Sequence, residues 1–168
     1  GVDRLDYMKG LDLKLKAFRE LLVSHPEYQG RVSLLQVAVP TRTGVPVYME
    51  LARETARLIG EINGAFSTPT WTPIQYLHSS VTQDQLLALY AASDALLVTS
   101  KRDGMNLVAL EYIASKRDDR PGVVVLSEFA GAISTLSHVL AVNPWDFEGT
   151  AKKMVQASLR GDRQAFAE

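Results

Sequence analysis

The chain has 168 residues, of which 46% are hydrophobic and 22% are charged, and its formal net charge is -1. These values are typical of a single globular domain with a sizeable core, and they leave no excess of basic residues for binding nucleic acid or a membrane surface. The sequence has no cysteine, which excludes disulfides, thiolate zinc sites and cysteine nucleophiles. It shows no signal peptide and no membrane-length apolar run, so we expect a cytoplasmic location.

The apolar pattern predicts strands that alternate with helices along the chain. Residues 1–7 are predicted to be the tail of a strand, cut short at its start, that runs straight into a loop. Further strands are predicted at 31–39, 74–77, 95–99, 123–126 and 140–142. Helices are predicted at 11–23, 46–63, 82–92, after the turn at 100–105, after 127 and at 144–160. Consecutive strands lack hairpin turns, so they need crossover connections. We therefore predict an α/β fold, a Rossmann-like doubly wound parallel sheet with helices on both faces.

The polar turn after the fourth predicted strand is the main candidate for a ligand site, because open α/β sheets bind ligands at strand carboxyl ends. Asp103 and Asn106 suit a turn and a helix cap, and Gly104 allows the backbone to approach a ligand closely. An anion could be bound by the first amides of the helix, those of Asn106, Leu107 and Val108. From the loop alone, an ordinary turn with a capping aspartate is the favoured interpretation.

Two cations flank the loop after the first strand, where Arg4 and Lys9 stand five residues apart beside a helix start. Such a pair can bind a diphosphate from both sides. The alternative is a solvated loop in which these cations pair with Asp3 or Asp6. Spacing alone does not separate the two interpretations.

Other candidate residues are weaker on local grounds. Arg42 follows the second strand and is typical of a surface loop, and Glu111 could bind a ribose or be an exposed helix glutamate. The three histidines have no ligand spacing, so no metal site is predicted. The sequence lacks Gly-x-Gly-x-x-Gly and Walker patterns, which argues against a dinucleotide oxidoreductase or a P-loop enzyme. The residues by themselves predict a binder of an anionic, nucleotide-containing ligand.

Several segments together carry a resemblance to a known family. The specific ones are RLDYMKG at 4–10 and RDGMNLV at 102–108, and the supporting ones lie at 36–42, 62–64, 71–74, 126–131 and 142–144. They resemble the carboxy-terminal half of the trehalose-6-phosphate synthases, which are retaining glycosyltransferases of the GT-B type with two Rossmann-like domains. The resemblance covers nearly the whole chain.

The resemblance implies transfer of glucose from UDP-glucose to glucose-6-phosphate, without a metal or other cofactor. It implies that Arg4 and Lys9 hold the UDP diphosphate and stabilise its departure, that Asp103 engages the glucose hydroxyls, and that Arg42 reaches the acceptor phosphate. The remaining implied donor-binding positions are Val81 at the uracil slot, Gly104, Met105, Asn106, Leu107 and Val108 around sugar and phosphates, and Glu111 at the ribose. Lys101 departs from the family pattern and is expected to add a positive charge at the mouth.

The resemblance also implies an organisation. We expect residues 1–168 to be one donor-binding domain, truncated at both ends, whose amino-terminal acceptor domain is absent. Such a fragment is expected to be inactive alone, and its partners would include the missing domain and a homo-oligomer or synthase complex. The alternative is a non-catalytic, regulatory subunit with a synthase-like fold that acts through protein contacts.

Overall fold

Short strands and longer helices alternate in residues 1–42 and 44–165, which are the residues that the computed structural model describes. The strands are β1 Val2–Arg4, β2 Leu34–Val39, β3 Ile74–Leu77, β4 Ala95–Val98, β5 Val123–Ser127 and β6 Leu140–Val142. The α-helices are α1 Leu11–Ser24, α2 Pro46–Phe66, α3 Gln83–Ala92, α4 Leu107–Ala114 and α5 Phe147–Ala165. No α-helix in this described part combines the length and apolar character of a membrane span.

All strand pairings between these elements are parallel, as the sequence predicts. The strands form two three-stranded ladders, β1-β2-β3 and β4-β5-β6, with β2 and β5 at their centres. Because every pair is parallel, the carboxyl ends of neighbouring strands lie at one edge, which is where the candidate loops were predicted to meet.

Helices cover both faces of the sheet, which confirms the doubly wound prediction. On β5, Val124 and Leu126 pack in a cluster with Tyr112 of α4. The alternate residue Val125 packs in a separate cluster with Ala157 of α5. Successive side chains of a strand point to opposite faces, so α4 and α5 lie on opposite sides of β5.

Several predicted boundaries are wrong, since β2 begins at Leu34 and not at 31, and α2 does not end at 63. The Asn63-Gly64 pair does not end α2, which continues to Phe66. The Asn63 side chain instead donates to the Ile74 carbonyl and accepts from the Ile74 amide, each at 2.9 Å. Packing of Ile62 in the core supports the helix up to this point. Asn63, which together with Gly64 is typical of a helix end, therefore connects α2 to β3.

The helix predicted after 127 is also wrong, since this region contains only a short 3-10 turn at Gly131–Ser134. The amides of Gly131 and Ala132 donate to the carbonyls of Asp103 and Met105, each at 2.9 Å. They are therefore engaged by a neighbouring loop while the chain continues to β6. The last helix is shifted as well, because α5 runs from Phe147 to Ala165 and not over 144–160.

A buried ion pair fastens β1 to α1. Lys14 on α1 is fully buried, and its ammonium donates to the Asp3 carboxylate and, at 3.1 Å, to Gln36 Oε1. Gln36 Nε2 also donates to Asp3 Oδ2 at 3.0 Å, so β2 joins the group. Asp3 is therefore not a partner of Arg4 or Lys9, which corrects the alternative considered from spacing. The group fixes the strand residue that directly precedes Arg4.

We expect Lys14→Met to lower the free energy of unfolding by about 3–5 kcal/mol, because it leaves the Asp3 carboxylate buried without its counter-ion. Urea unfolding measures this loss. Lys16→Met is the matched control, since Lys16 is exposed on the same helix and its replacement should have little effect. Adding Asp3→Asn to Lys14→Met should recover part of the loss, and equal losses for Lys14→Met and Lys16→Met would contradict the role of the pair.

Candidate functional site

The loops that follow β1 and β4 meet at the carboxyl edge of the sheet. The Lys101 amide donates to the Met8 carbonyl at 2.8 Å, and the Thr99 hydroxyl donates to the Gly10 carbonyl at 3.0 Å. Gly10 has a left-handed backbone, φ 63°, and an added Cβ would overlap the Thr99 carbonyl oxygen. The close contact between the two loops therefore requires glycine at this position.

Lys9 and Asp103 form an ion pair at this junction. Lys9 Nζ lies 2.6 Å from Asp103 Oδ2, and their side chains are only 18% and 14% exposed. Arg4 is exposed at the carboxyl end of β1, before the loop that carries Lys9. Lys9 and Asp103 are 94 positions apart in the sequence, and the structure brings them together. The family resemblance implies that both residues contact UDP-glucose, the sugar donor.

Asp103 lies in a network that favours its charged form. Asn106 Nδ2 donates to Asp103 Oδ2 at 3.0 Å, and Asn106 Oδ1 caps α4 by accepting from the Ala109 amide at 3.1 Å. Burial raises the pKa of Asp103, but the hydrogen bonds from Lys9 and Asn106 outweigh it, so the pKa lies below its ordinary value. The predicted cap at Asn106 is confirmed, and its left-handed backbone, φ 68°, suits asparagine.

The segment after β5 supports the Asp103 loop, and this supporting role is not among the sequence predictions. The Asp103 amide donates to the Phe129 carbonyl at 3.2 Å, and the buried Ser127 hydroxyl donates to the Ser100 carbonyl at 2.7 Å. A Cβ on Gly131 would overlap the Gly104 carbonyl oxygen. The glycine at position 131 is therefore the sequence signal that could have indicated this close packing of the two loops. Gly104 itself has no heavy atom within 4 Å of an added Cβ, and its predicted closeness to a ligand stays a prediction.

Arg42 lies in the loop after β2, beside aromatic residues. Its guanidinium donates to the Tyr48 hydroxyl at 3.1 Å and lies 5.4 Å from the centre of that ring. Tyr48 meets Tyr7 edge to face at 6.2 Å, which links Arg42 to the loop after β1. Arg42 is exposed and has an unusual positive φ of 46°. No sequence pattern points to Tyr48, because only the tertiary structure brings its ring to the guanidinium.

Glu111 is half-buried on α4 and has a partner on α3. The Tyr90 hydroxyl donates to Glu111 Oε2 at 3.3 Å, and Tyr90 is itself 2% exposed. Val81 is half-buried just before Thr82, which caps α3 through a capping box with Gln85. Glu111 and Val81 thus lie on or beside the α3–α4 pair.

The remaining predicted positions differ in exposure. Met105 and Leu107 are exposed at the start of α4, whereas Val108 is half-buried. The ammonium of Lys101 lies 3.1 Å from Asp12 Oδ1 and 5.3 Å from the centre of the Trp145 ring. The charge of Lys101 is therefore paired with that of Asp12. This differs from the expectation that Lys101 adds a positive charge at the mouth of the site.

Among the side chains that the structure describes, those of residues 1–42 and 44–159, no group of three His, Asp or Glu is placed to hold a metal ion. The chemistry available at this edge is that of cations, carboxylates and backbone amides. These groups can bind an anion and a polyhydroxyl compound side by side.

Comparisons with known proteins agree on one family. The sequence profile of glycosyltransferase family 20 matches residues 1–164. An Aspergillus fumigatus α,α-trehalose-phosphate synthase [UDP-forming] is 51% identical over 98% of this chain and 34% of its own length. A Burkholderia xenovorans α,α-trehalose-phosphate synthase (UDP-forming) in complex with glucose-6-phosphate superimposes with a TM-score of 0.92 and 41% identity, over 98% of this chain and 37% of that one. An E. coli structure bound with UDP-2-fluoro glucose gives 0.91 and 38% identity, over 98% of this chain and 38% of that one. The chain therefore spans about a third of the length of the curated relatives it matches.

We expect Gly10→Ala to destabilise the chain by more than about 2 kcal/mol, because it combines a left-handed backbone with overlap of the Thr99 carbonyl. Thermal and urea unfolding measure the loss. Gly104→Ala is the matched control in the facing loop, where an added methyl group meets open space, and its effect should stay within about 1 kcal/mol. Similar losses for both variants would show that the two loops do not require this close approach.

We expect Asp103→Asn to reduce stability near neutral pH, and the difference from the parent chain to shrink as the pH falls below the ordinary carboxyl pKa of about 4. The reason is that the native pKa of Asp103 is lowered, so its stabilising charge is lost as the carboxylate is protonated. Urea unfolding across this pH range measures the effect. Asp118→Asn, in an exposed loop, is the control, and an Asp103→Asn loss that does not change with pH would contradict the pairing.

Proposed function

The chain belongs to glycosyltransferase family 20, and on that premise we propose that it forms the donor-binding part of a retaining synthase. The proposed reaction transfers glucose from UDP-glucose to glucose-6-phosphate and gives trehalose-6-phosphate. Two relatives support the substrates, since one structure holds UDP-2-fluoro glucose and another holds glucose-6-phosphate. The single observation that carries the proposal is the Lys9–Asp103 pair, formed by the loop that follows the exposed Arg4 at the end of β1.

In this proposal the donor lies across the loops after β1 and β4. Arg4 and Lys9 bind the diphosphate, and Lys9 is already held at the site by Asp103. Asp103 accepts hydrogen bonds from the glucose hydroxyls, for which its charged form is suited. The backbone at 104–108 surrounds the sugar and phosphates, Val81 lines the uracil slot, and Glu111 binds the ribose.

The chemical task of this part is to stabilise charge. As the glucose–phosphate bond breaks, negative charge grows on the departing diphosphate, and cations placed in advance lower the barrier. Retention is proposed to need no protein nucleophile, because the leaving diphosphate takes the proton of the acceptor hydroxyl. Arg42 is proposed to reach the phosphate of the acceptor, and its hydrogen bond and cation–π contact with Tyr48 support an oriented guanidinium.

We propose that residues 1–168 act as one donor-binding domain that works with an acceptor domain. The chain spans about a third of its curated relatives, which supports this division. The chain alone is then expected to bind UDP and not to turn over. A purely regulatory subunit is the alternative, but such a subunit has no need of a diphosphate site at which Lys9 and Asp103 are paired and part-buried.

We expect the chain to bind UDP, and Arg4→Ala and Lys9→Ala each to weaken UDP about 10-fold or more while changing uridine less than about 2-fold. The reason is that a hydrogen bond to a charged group contributes about 1.5–3 kcal/mol, and uridine carries no phosphate. Calorimetry measures the affinity for UDP, and ligand-observed NMR measures the affinity for uridine.

Two nearby exposed residues on α1 provide matched controls for these variants. Arg19→Ala and Lys16→Ala remove the same side-chain types and should leave UDP binding unchanged. A folded sample that binds no UDP at millimolar concentration would overturn the donor-binding proposal. Equal losses for UDP and uridine would show that Arg4 and Lys9 do not contact phosphate.

A further inference from the structure

The hydroxyl of Tyr90 has no part in the proposed reaction, yet it is directed to one of the proposed donor-binding residues. Tyr90 is 2% exposed on α3, and its hydroxyl donates to Glu111 Oε2 at 3.3 Å. A buried hydroxyl needs a hydrogen-bond partner, because an unpaired one loses its solvation without compensation. Here that partner is a carboxylate on the neighbouring helix.

Tyr90, which donates this hydrogen bond, is held more rigidly than Glu111, which accepts it. The Tyr90 ring packs in a core cluster with Leu96 and Val98 of β4, and it meets the Tyr112 ring edge to face at 5.8 Å and 88°. Glu111 is only half-buried, and its longer side chain has more rotamers to lose when it is ordered. The position of the Tyr90 hydroxyl relative to the sheet therefore sets where the carboxylate lies.

We propose that Tyr90 is a positioning residue that holds the Glu111 carboxylate in the orientation in which it accepts hydrogen bonds from the ribose hydroxyls of the donor. This inference rests on the proposed function, which assigns Glu111 to the ribose. Only one carboxylate oxygen, Oε2, accepts from Tyr90. A carboxylate has about four lone-pair sites, so Oε1 and part of Oε2 remain available for the two adjacent ribose hydroxyls.

The protonation states suit this arrangement. Burial raises the pKa of Tyr90 well above its ordinary value, and the nearby charge of Glu111 raises it further. The hydroxyl therefore keeps its proton throughout the neutral range and remains a donor. A carboxylate that is ordered before the ligand arrives binds it with a smaller loss of conformational entropy, which is the general advantage of preorganisation.

The test is Tyr90→Phe, which removes the hydroxyl and keeps the ring. Its affinity is measured by calorimetry for UDP and for 2′,3′-dideoxyuridine diphosphate, which lacks both ribose hydroxyls. We expect UDP to bind about 3- to 10-fold more weakly, and the dideoxy compound to change less than about 2-fold. Tyr112→Phe is the matched control, because this neighbouring buried tyrosine donates to the Ser93 carbonyl and not to Glu111. It should leave both affinities unchanged.

A second pair of variants isolates the role of Glu111. Glu111→Ala should remove most of the preference for UDP over the dideoxy compound, and adding Tyr90→Phe to it should cause no further loss. Glu111→Asp draws the carboxylate away from both the Tyr90 hydroxyl and the ribose, so adding Tyr90→Phe to it should also cause little further loss. An additional UDP-selective loss on either Glu111 background would show that Tyr90 does not act through this carboxylate. Thermal unfolding of every variant confirms that it is folded at the temperature of the measurement.

The outcomes separate this inference from the proposed function. If Tyr90→Phe weakens both ligands equally, or Tyr112→Phe causes the same UDP-selective loss, the positioning role is overturned. If the parent chain binds both ligands equally while the effects of Arg4→Ala and Lys9→Ala persist, the ribose assignment of Glu111 is overturned and the diphosphate site stands. If the parent chain binds no UDP, the proposed function is overturned together with the inference.

Discussion

The ion pair between Lys9 and Asp103 is the contact on which the arrangement of the carboxyl edge depends. It joins the loop after β1 to the loop after β4 at 2.6 Å. In the described part of the chain the strand ladders run β1-β2-β3 and β4-β5-β6, and no ladder pairs β1 with β4. The β1–β3 half and the β4–β6 half therefore meet at this edge through loop contacts, and the charged ones are this pair and the Lys101–Asp12 pair. An attraction between part-buried charges is screened less than one at the surface, so it can hold the loops at a defined separation.

Other interactions support this contact from behind. On one side, the buried Lys14–Asp3 pair fixes β1 against α1 just before Arg4. On the other side, Asn106 bonds both Asp103 and the first turn of α4, and α4 carries Glu111 to the Tyr90 hydroxyl. Hydrogen bonds at Lys9, Asp103 and Asn106, the helix α4, and the Tyr90–Glu111 hydrogen bond thus connect the proposed diphosphate position with the proposed ribose position. Lys9, Asp103 and Glu111 are therefore each held by a hydrogen bond within the protein.

Local signals in the sequence predicted the elements whose ends are set by nearby residues. Asn106 is a helix cap as expected, and the helix predicted to begin at 82 does begin there, with Thr82 as its cap, because a cap is satisfied within its own first turn. Predictions were wrong where a distant segment competes for the same polar groups. Asn63 bonds to β3 and does not end α2, and the amides at 131–132 bond to the Asp103 loop and do not start a helix. The local sequence cannot report such partners, since they are far away along the chain.

The sequence by itself determined the parallel α/β fold, the family, and the residue types proposed to bind a diphosphate, because periodicity and specific segments are local properties. Only the tertiary structure decided which of these residues meet. It paired Lys9 with Asp103, assigned Asp3 to Lys14, placed Arg42 on Tyr48 and connected Tyr90 to Glu111. The reason is that strand order and helix packing set these distances. Spacing along the chain leaves several partners open to each charge, and the fold selects one.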